Sequence, residues 1–373
     1  MTRSIQVAVT QMDASFDGLD KRLARAEKLV QAAAAQQAQI VVLPEFFNTG
    51  YHYDERNYLR SESMDGQTVG WMREMAQQYQ VHLLGSLMLR DIDEVYNSAL
   101  LFAPDGRFWR HDKLYPFAWE RAYFREGNGI TIADTELGKI GIMIGWDAAH
   151  ADMWERYASR VDLMLICNNA VQLSSAAIQL PDGKKQHMGD INPAIYSEKE
   201  YFCGEDLDAF ARWISVPVVQ SMGSGEFRSQ MPMAMASWLG MTSQQPLYWR
   251  YLDQAHSIEI SAGYDKVAKI VSAEGQIIGQ IETEGDGLAI ASVTLADQIP
   301  LPQGSKPEIQ TSKMVFFFAD IYLPFFQTFV YRRGLRRYFG RRMAPIAFGT
   351  QVWSGAVMAS LVIGLWLGRK SKF

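Results

Sequence analysis

Residues 40–51 read IVVLPEFFNTGY. Four consecutive apolar residues, most of them β-branched, fit a short strand buried on both faces, as in parallel sheets covered by helices. Pro44 cannot donate to a ladder and ends the strand, which leaves Glu45 at its exit. Upstream, residues 4–10 are rich in β-formers, and residues 19–36 place Leu19, Leu23, Ala26, Leu29, Val30 and Ala33 on one helical face. Downstream the alternation continues with a helix over 68–80 and a strand over 81–87. A hairpin follows, with arms 96–103 and 107–113 around Pro104-Asp105-Gly106. Buried-type strands at 140–144 and 163–166 flank a helix at 151–159. Further strands are expected at 216–220, 265–271 and 287–293, the last two around a turn at Glu274-Gly275. This order predicts an α/β sandwich with helices outside two sheets.

The composition bounds the function. With 48% hydrophobic and 21% charged residues in 373, the chain suits one large core plus an appendage, and disordered and collagen-like classes are excluded. Two cysteines, Cys167 and Cys203, cannot build a disulfide framework or a Cys-rich zinc site. The six histidines are scattered without metal-ligand spacing, so neither a metal nor another cofactor is expected. The net charge of −5 is uneven: residues 332–373 carry nine of the 36 Lys+Arg and none of the 41 Asp+Glu, which leaves 27 basic against 41 acidic residues before them. An acidic body argues against nucleic acid, and a basic tail argues for an anionic partner of its own.

The tail's hydropathy points to lipid. Residues 344–368 contain no charge and are long enough to cross a ~30 Å hydrocarbon layer as a helix, with Trp353 and Trp366 suited to its interfaces. Residues 314–331 hold eight aromatics but also Asp320 and Pro324, which favours an interfacial or re-entrant stretch over a span. The arginines between these stretches suit anionic headgroups. Residues 1–300 are thus expected to form the body and 301–373 a membrane-associating, apolar helical tail. The N-terminal segment lacks a signal-peptide h-region, and the arginines favour a body on the cytoplasmic side.

Chemistry is expected where strands end. Glu45 leaves an apolar strand and is partly desolvated, which suits general-base work. Lys113, in HDKLYPF, ends the second hairpin arm, and Glu120 lies in the following FAWERAYFREGN. Each has a plainer reading: Glu45 as a helix cap, Lys113 as a solvated strand end, Glu120 as one charge on a helical face with Arg121.

The joint order PEFFNTGY, HDKLYPF, FAWERAYFREGN, KIGIMIGWD and LMLICNNA resembles the nitrilase, or carbon-nitrogen hydrolase, superfamily over residues 5–293. The resemblance implies a four-layer αββα sandwich, commonly dimerised or assembled further. It implies hydrolysis or condensation at non-peptide C–N bonds through a cysteine acyl-enzyme. In that reading Glu45 is the general base, Lys113 stabilises the tetrahedral intermediate, Glu120 orients substrate and assists proton transfer, and the Trp146 backbone N–H is the oxyanion donor. Tyr51, Asn168, Asn169 and Trp238 fall on the substrate side.

One position departs from this pattern. Gly145, in Gly141-Ile142-Met143-Ile144-Gly145-Trp146-Asp147, stands where the family carries its nucleophilic cysteine. Glycine tolerates a nucleophile elbow's backbone but forms no acyl-enzyme. Cys167 ends the next strand and Cys203 lies in an insertion, so neither is an obvious substitute. Three readings follow: an amidase of small or acyl-chain amides that is inactive as written, altered at one codon; a natural pseudoenzyme that binds or scaffolds at membranes; and an N-acyltransferase. Insertions near 171–206 and 223–256 bear on substrate. The second holds Met231, Met233, Met235, Trp238, Leu239, Met241, Tyr248 and Trp249, which either bury against the body or a second subunit or form an apolar lid.

Overall fold

The computed structural model describes residues 3–15, 17–192, 205–264 and 267–340. In chain order, β1 (Arg3–Asp13), α1 (Leu19–Ala35), β2 (Ile40–Val42), α2 (Gln67–Tyr79), β3 (His82–Asp91), β4 (Glu94–Phe102) and β5 (Phe108–Asp112) form the first half of the body. β6 (Thr131–Thr135), β7 (Gly138–Ile144), α3 (Ala151–Tyr157) and β8 (Leu163–Cys167) follow, and then two short strands, β9 (Ala177–Gln179) and β10 (Lys185–His187). The second half comprises α4 (Glu205–Ile214), β11 (Val218–Gln220), β12 (Met222–Ser224), β13 (Glu226–Gln230), α5 (Ala234–Met241), β14 (Glu259–Gly263), β15 (Lys269–Val271), β16 (Ile277–Gln280) and β17 (Gly287–Leu295).

Among the described residues the strands form three sheets. The first runs β12-β1-β2-β3-β4-β5, with β17 also pairing β1, and the second runs β16-β15-β11-β8-β7-β6. Successive side chains on a strand point to opposite faces, which divides the core into layers. Ile5, Val7, Val9, Ile40 and Val42 of the first sheet meet Ile140, Ile142, Ile144, Leu163 and Leu165 of the second in one buried cluster. On the first sheet's outer face, Ala8, Val41 and Leu83 pack under α1 and α2 through Ala26, Val30, Met72 and Ala76. On the second sheet's outer face, Met143, Met164 and Val218 pack under α3 and α4 through Trp154, Phe210 and Ile214. The layers are therefore helix, sheet, sheet, helix, as expected.

The insertions are not plain loops. Strands β10-β9-β14-β13 form a third, wholly antiparallel sheet, and with β12 they make strands resume at Met222, Glu226 and Glu259 rather than first at 265. With α5 and a 3₁₀ run over Pro246–Ser257 this sheet makes a cap, whose buried Ile178, Met231, Trp238, Met241, Tyr248 and Ile260 share one cluster with Trp119 and Trp146. Met235, Leu239, Leu247 and Trp249 of the same region stay exposed. Cys203 and part of the first insertion lie outside the described residues.

After β17 the chain enters helix α6 (Lys313–Phe316), a π-helical turn over Phe317–Tyr322, and α7 (Leu323–Phe339). Pro324 removes a backbone donor within this run. Val315, Ala319 and Leu323 are buried in the cap's cluster, and Gly240 of α5 lies against Tyr322. Residues through Gly334 form one compact unit, past the boundary expected at residue 300, because Val315, Ala319 and Leu323 pack into it; residues 335–339 complete α7 and belong to a second unit. Among the described residues no single helix is long and apolar enough to cross a membrane, whereas the pair 313–325 and 327–339, bent by 45°, passes that test together. The candidate span 344–368 lies outside the described residues.

Candidate active site

The three charged residues read from strand ends meet at one point. β2 delivers Glu45 and β5 delivers Lys113, and both side chains are almost wholly buried. Glu120 lies in a 3₁₀ turn over Ala118–Ala122, where its carboxylate turns back to accept the Phe117 N–H at 2.9 Å. Lys113 Nζ stands 2.8 Å from Glu45 Oε1 and 2.8 Å from Glu120 Oε2. None of the plainer readings describes this cluster: the lysine is not solvated, and neither carboxylate lies on a surface helix.

Parallel pairing brings the fourth position alongside. Ile144 of β7 sits opposite Cys167 of β8, so Gly145 and Asn168 leave their strands side by side. Gly145 adopts φ +47°, in the left-handed region that favours glycine. A β-carbon built on it would lie 2.9 Å from Glu45 Oε2, 3.1 Å from Lys113 Nζ and 3.5 Å from Asn168 Oδ1. Asp147 ties this turn to the strand that carries Lys113: Oδ1 accepts the N–H of Leu114 at 3.0 Å and of Tyr115 at 2.9 Å, and Oδ2 accepts the N–H of Ile144 at 3.2 Å and lies 3.1 Å from His111 Nε2.

The electrostatics follow from two buried carboxylates sharing one buried ammonium. Burial pushes the Glu120 carboxyl up to about 7; Lys113 works against that shift and the negative charge of Glu45 adds to it. Burial alone would lower the Lys113 ammonium, but the charges of Glu120 and Glu45 hold it above the ordinary lysine value. Lys113 is therefore a permanent cation near neutral pH, while Glu120 is poised to hold or release a proton.

Several residues that complete the site were not singled out in the sequence. Asn97 Nδ2 donates to Glu45 Oε1 at 2.6 Å, and the Asn97 carbonyl accepts the Lys113 N–H at 2.9 Å. Asn97 therefore holds both members of the central pair. Its position opposite Lys113 in the hairpin is the signal that could have found it. A cavity of about 60 Å³ opens onto the triad, walled by Tyr51, Tyr53, Phe117, Trp146, Phe227 and Tyr264, with Asn168 and Asn169 at its floor. The cap thus contributes Phe227 to the wall. Tyr51 Oη and Asn169 Oδ1 are buried with no hydrogen-bond partner among the described residues. Burial, and then the charge of Glu120, keeps the Tyr51 phenol neutral.

Two residues fall elsewhere. Trp238, expected on the substrate side, is wholly buried in the cap's cluster with its indole N–H on the Tyr248 carbonyl at 3.0 Å, and it does not line the cavity. A large aromatic in a Met-rich helix serves packing here. Cys167 points into the sandwich core, where burial raises its thiol well above the ordinary value, so it is no nucleophile.

Comparison with known proteins agrees with this architecture. Residues 6–184 match the family model described as carbon-nitrogen hydrolase. A nitrilase from Pyrococcus abyssi is 33% identical over 147 residues, which are 38% of this chain and 56% of that one. The chain thus spans about half the length of the curated relatives it matches. Among solved structures, a CN-hydrolase superfamily protein from Xanthomonas campestris has a TM-score of 0.56 at 17% identity, covering 79% of this chain and 91% of its own. An amidase from Nesterenkonia sp. AN1, seen after Michael addition of acrylamide at its active-site cysteine, has a TM-score of 0.55 at 16% identity, covering 77% and 92%. Taken with the two facing sheets and their helical covers, these likenesses support a carbon-nitrogen hydrolase domain of the nitrilase superfamily beginning in the matched residues 6–184.

Proposed function

We propose that this domain is an amidase-type site for a small amide, that residue 145 is the nucleophile position, and that the chain as written binds such a ligand without forming an acyl-enzyme. The observation that carries this reading is the surroundings of Gly145. A β-carbon there would stand 2.9 Å from Glu45 Oε2 and 3.1 Å from Lys113 Nζ, between a base and a cation. On a cysteine at that position, Glu45 takes the thiol proton and the thiolate attacks the amide carbonyl carbon. The carbonyl oxygen becomes an oxyanion facing the Lys113 ammonium and the Trp146 backbone N–H. Collapse breaks the C–N bond as Glu45 returns its proton to the leaving amine. Water, deprotonated by Glu45 and oriented by Glu120, then hydrolyses the thioester. Tyr51 Oη and Asn169 Oδ1 supply polar partners for the amide group, and the small aromatic cavity supports a short acyl part over a long one.

The test is turnover of butyramide and of a long-chain amide by Gly145→Cys, with Gly145→Ala as control, and mass spectrometry for an acyl adduct on residue 145. We expect adduct and turnover in the cysteine variant alone, at least about 10³-fold above the control. A folded cysteine variant with neither would overturn the amidase reading. It would leave the second one, a pseudoenzyme that binds and scaffolds, which the exposed Met235, Leu239 and Trp249 support.

Membrane association belongs to the same proposal. It is supported by the uncharged run 344–368, the basic residues on both sides of it, and the bent helical pair at 313–339. Those basic residues support a body on the cytoplasmic side, and assembly into a homo-oligomer rests on resemblance to the family. Recovery of the full-length chain in the soluble fraction without detergent would remove the membrane reading.

A further inference from the structure

Asp320 was conspicuous in the sequence as the one charge in an aromatic stretch, and the fold gives it two partners. Its Oδ1 accepts the indole N–H of Trp146 at 3.0 Å, and its Oδ2 lies 3.1 Å from His150 Nε2. His150 in turn reaches the Trp146 carbonyl oxygen with Nδ1 at 2.9 Å. The carboxylate therefore closes a ring: indole of Trp146, Asp320, imidazole of His150, carbonyl of Trp146. Phe316, one helical turn before Asp320, sets its ring 5.1 Å from Trp146 and 5.2 Å from His150. From the other side the imidazole stacks on Tyr115 at 3.6 Å and 7°. The charge of Asp320 also reaches Arg121, the residue after Glu120.

These contacts bear on the site because of where Trp146 sits. It follows Gly145, it lines the cavity, and its backbone N–H is the oxyanion donor of the proposed reaction. Glycine enters the left-handed region without strain and leaves it as easily, so the single geometry of the turn comes from its surroundings. Asp147 fixes the Gly145 turn from the sandwich side, and Asp320 fixes it from the outside. We propose that Asp320 is a positioning residue: through Trp146 and His150 it holds the 145–149 turn in register with Lys113, which makes the C-terminal helical segment part of the active-site wall. The proposal rests on the functional reading above for its catalytic consequence but not for its structural one. The segment lies outside residues 6–184, the part that matches the family model. Coupling between sites is reciprocal, so a ligand that orders the turn also tightens the segment.

The test uses the full-length chain and three readouts. In the indole N–H spectrum, with Trp146 assigned by Trp146→Phe, we expect the Trp146 resonance to shift in Asp320→Ala and to stay near its place in Asp320→Asn, whose amide oxygen still accepts. Hydrogen exchange of amides 144–150 should rise about tenfold in Asp320→Ala, and butyramide should slow exchange in both 144–150 and 313–323. In the Gly145→Cys background, Asp320→Ala should lower kcat ~10–100-fold with little change in KM, and Asp320→Asn should restore most of it. A folded Asp320→Ala protein with unchanged indole resonance and unchanged exchange would overturn the positioning role. If Gly145→Cys has no turnover, the amidase reading falls, and the resonance and exchange data still decide for or against Asp320.

Discussion

The sandwich and the cap contribute to one pocket in different ways. The sandwich supplies charge: Glu45 follows β2, Asn97 lies in β4 and Lys113 follows β5 of one sheet, and all three are almost wholly buried and satisfy one another within 3 Å. The cap supplies shape: Phe227 lines the cavity, Trp238 and Met241 pack in the cluster that holds Trp119 and Trp146, and Met235 and Leu239 of the same helix face outward. A buried charge tolerates little displacement, because its partners are what make burial affordable. An aromatic wall tolerates rearrangement, because apolar contact is not directional. The sheets therefore fix the pocket's charges, and the cap helps to fix its shape.

The contrast is sharpest at Lys113. Lys113→Met leaves two buried carboxylates facing each other without their cation, and we expect a loss of about 3–5 kcal/mol in denaturant unfolding. A loss under about 1 kcal/mol would mean that the pocket is wetter than its burial indicates. Glu120 gives a smaller effect with a definite sign. Its carboxyl is raised from 4.5 to about 7, so the folded state favours the protonated form. The stability this contributes is complete below about 4.5 and is lost as pH rises through about 7. Glu120→Gln should therefore flatten the fall in melting temperature between pH 5 and 8 and be the more stable protein at pH 8, by roughly 1–3 kcal/mol. Parallel pH profiles for the two proteins would show that Glu120 does not carry the raised value. The smallest effect belongs to the cap's outer face. Met235→Ser with Leu239→Ser should change stability by less than about 0.5 kcal/mol, yet weaken binding to phosphatidylglycerol vesicles severalfold. Unchanged vesicle binding would confine lipid contact to the tail.

The sandwich was legible because its strands are continuous apolar runs and its charged residues sit directly at strand ends, as at Pro44-Glu45 and Asp112-Lys113. The cap was not. β9 and β10 are three residues each, too short to carry a periodic signal, and β9 pairs with β14, more than seventy residues later in the chain. Trp238 was misplaced because a helix that is apolar all round gives no sign of which side faces a ligand. Asp320 was read as costly in a bilayer because its partners, Trp146 and His150, are far away in sequence and adjacent only once the third sheet and α6 are in place. Asn97 lay within reach, since hairpin register alone sets it beside Lys113.

The pairing of β1 with β17 has a consequence for how the protein is made. Arg3 is opposite Leu295 and Gln11 opposite Gly287, so the first strand to leave the ribosome waits for the last strand of the body before that edge is covered. Until then a long strand presents open backbone groups, the template on which chains aggregate. Pairings this distant in sequence also fold slowly. A chain cut at residue 184, where the family match ends, would lack β11, β12, β15, β16 and β17 and would expose that edge permanently. The smallest piece expected to express as a folded protein therefore runs at least to Leu295, and one that keeps Trp146 anchored runs past Asp320.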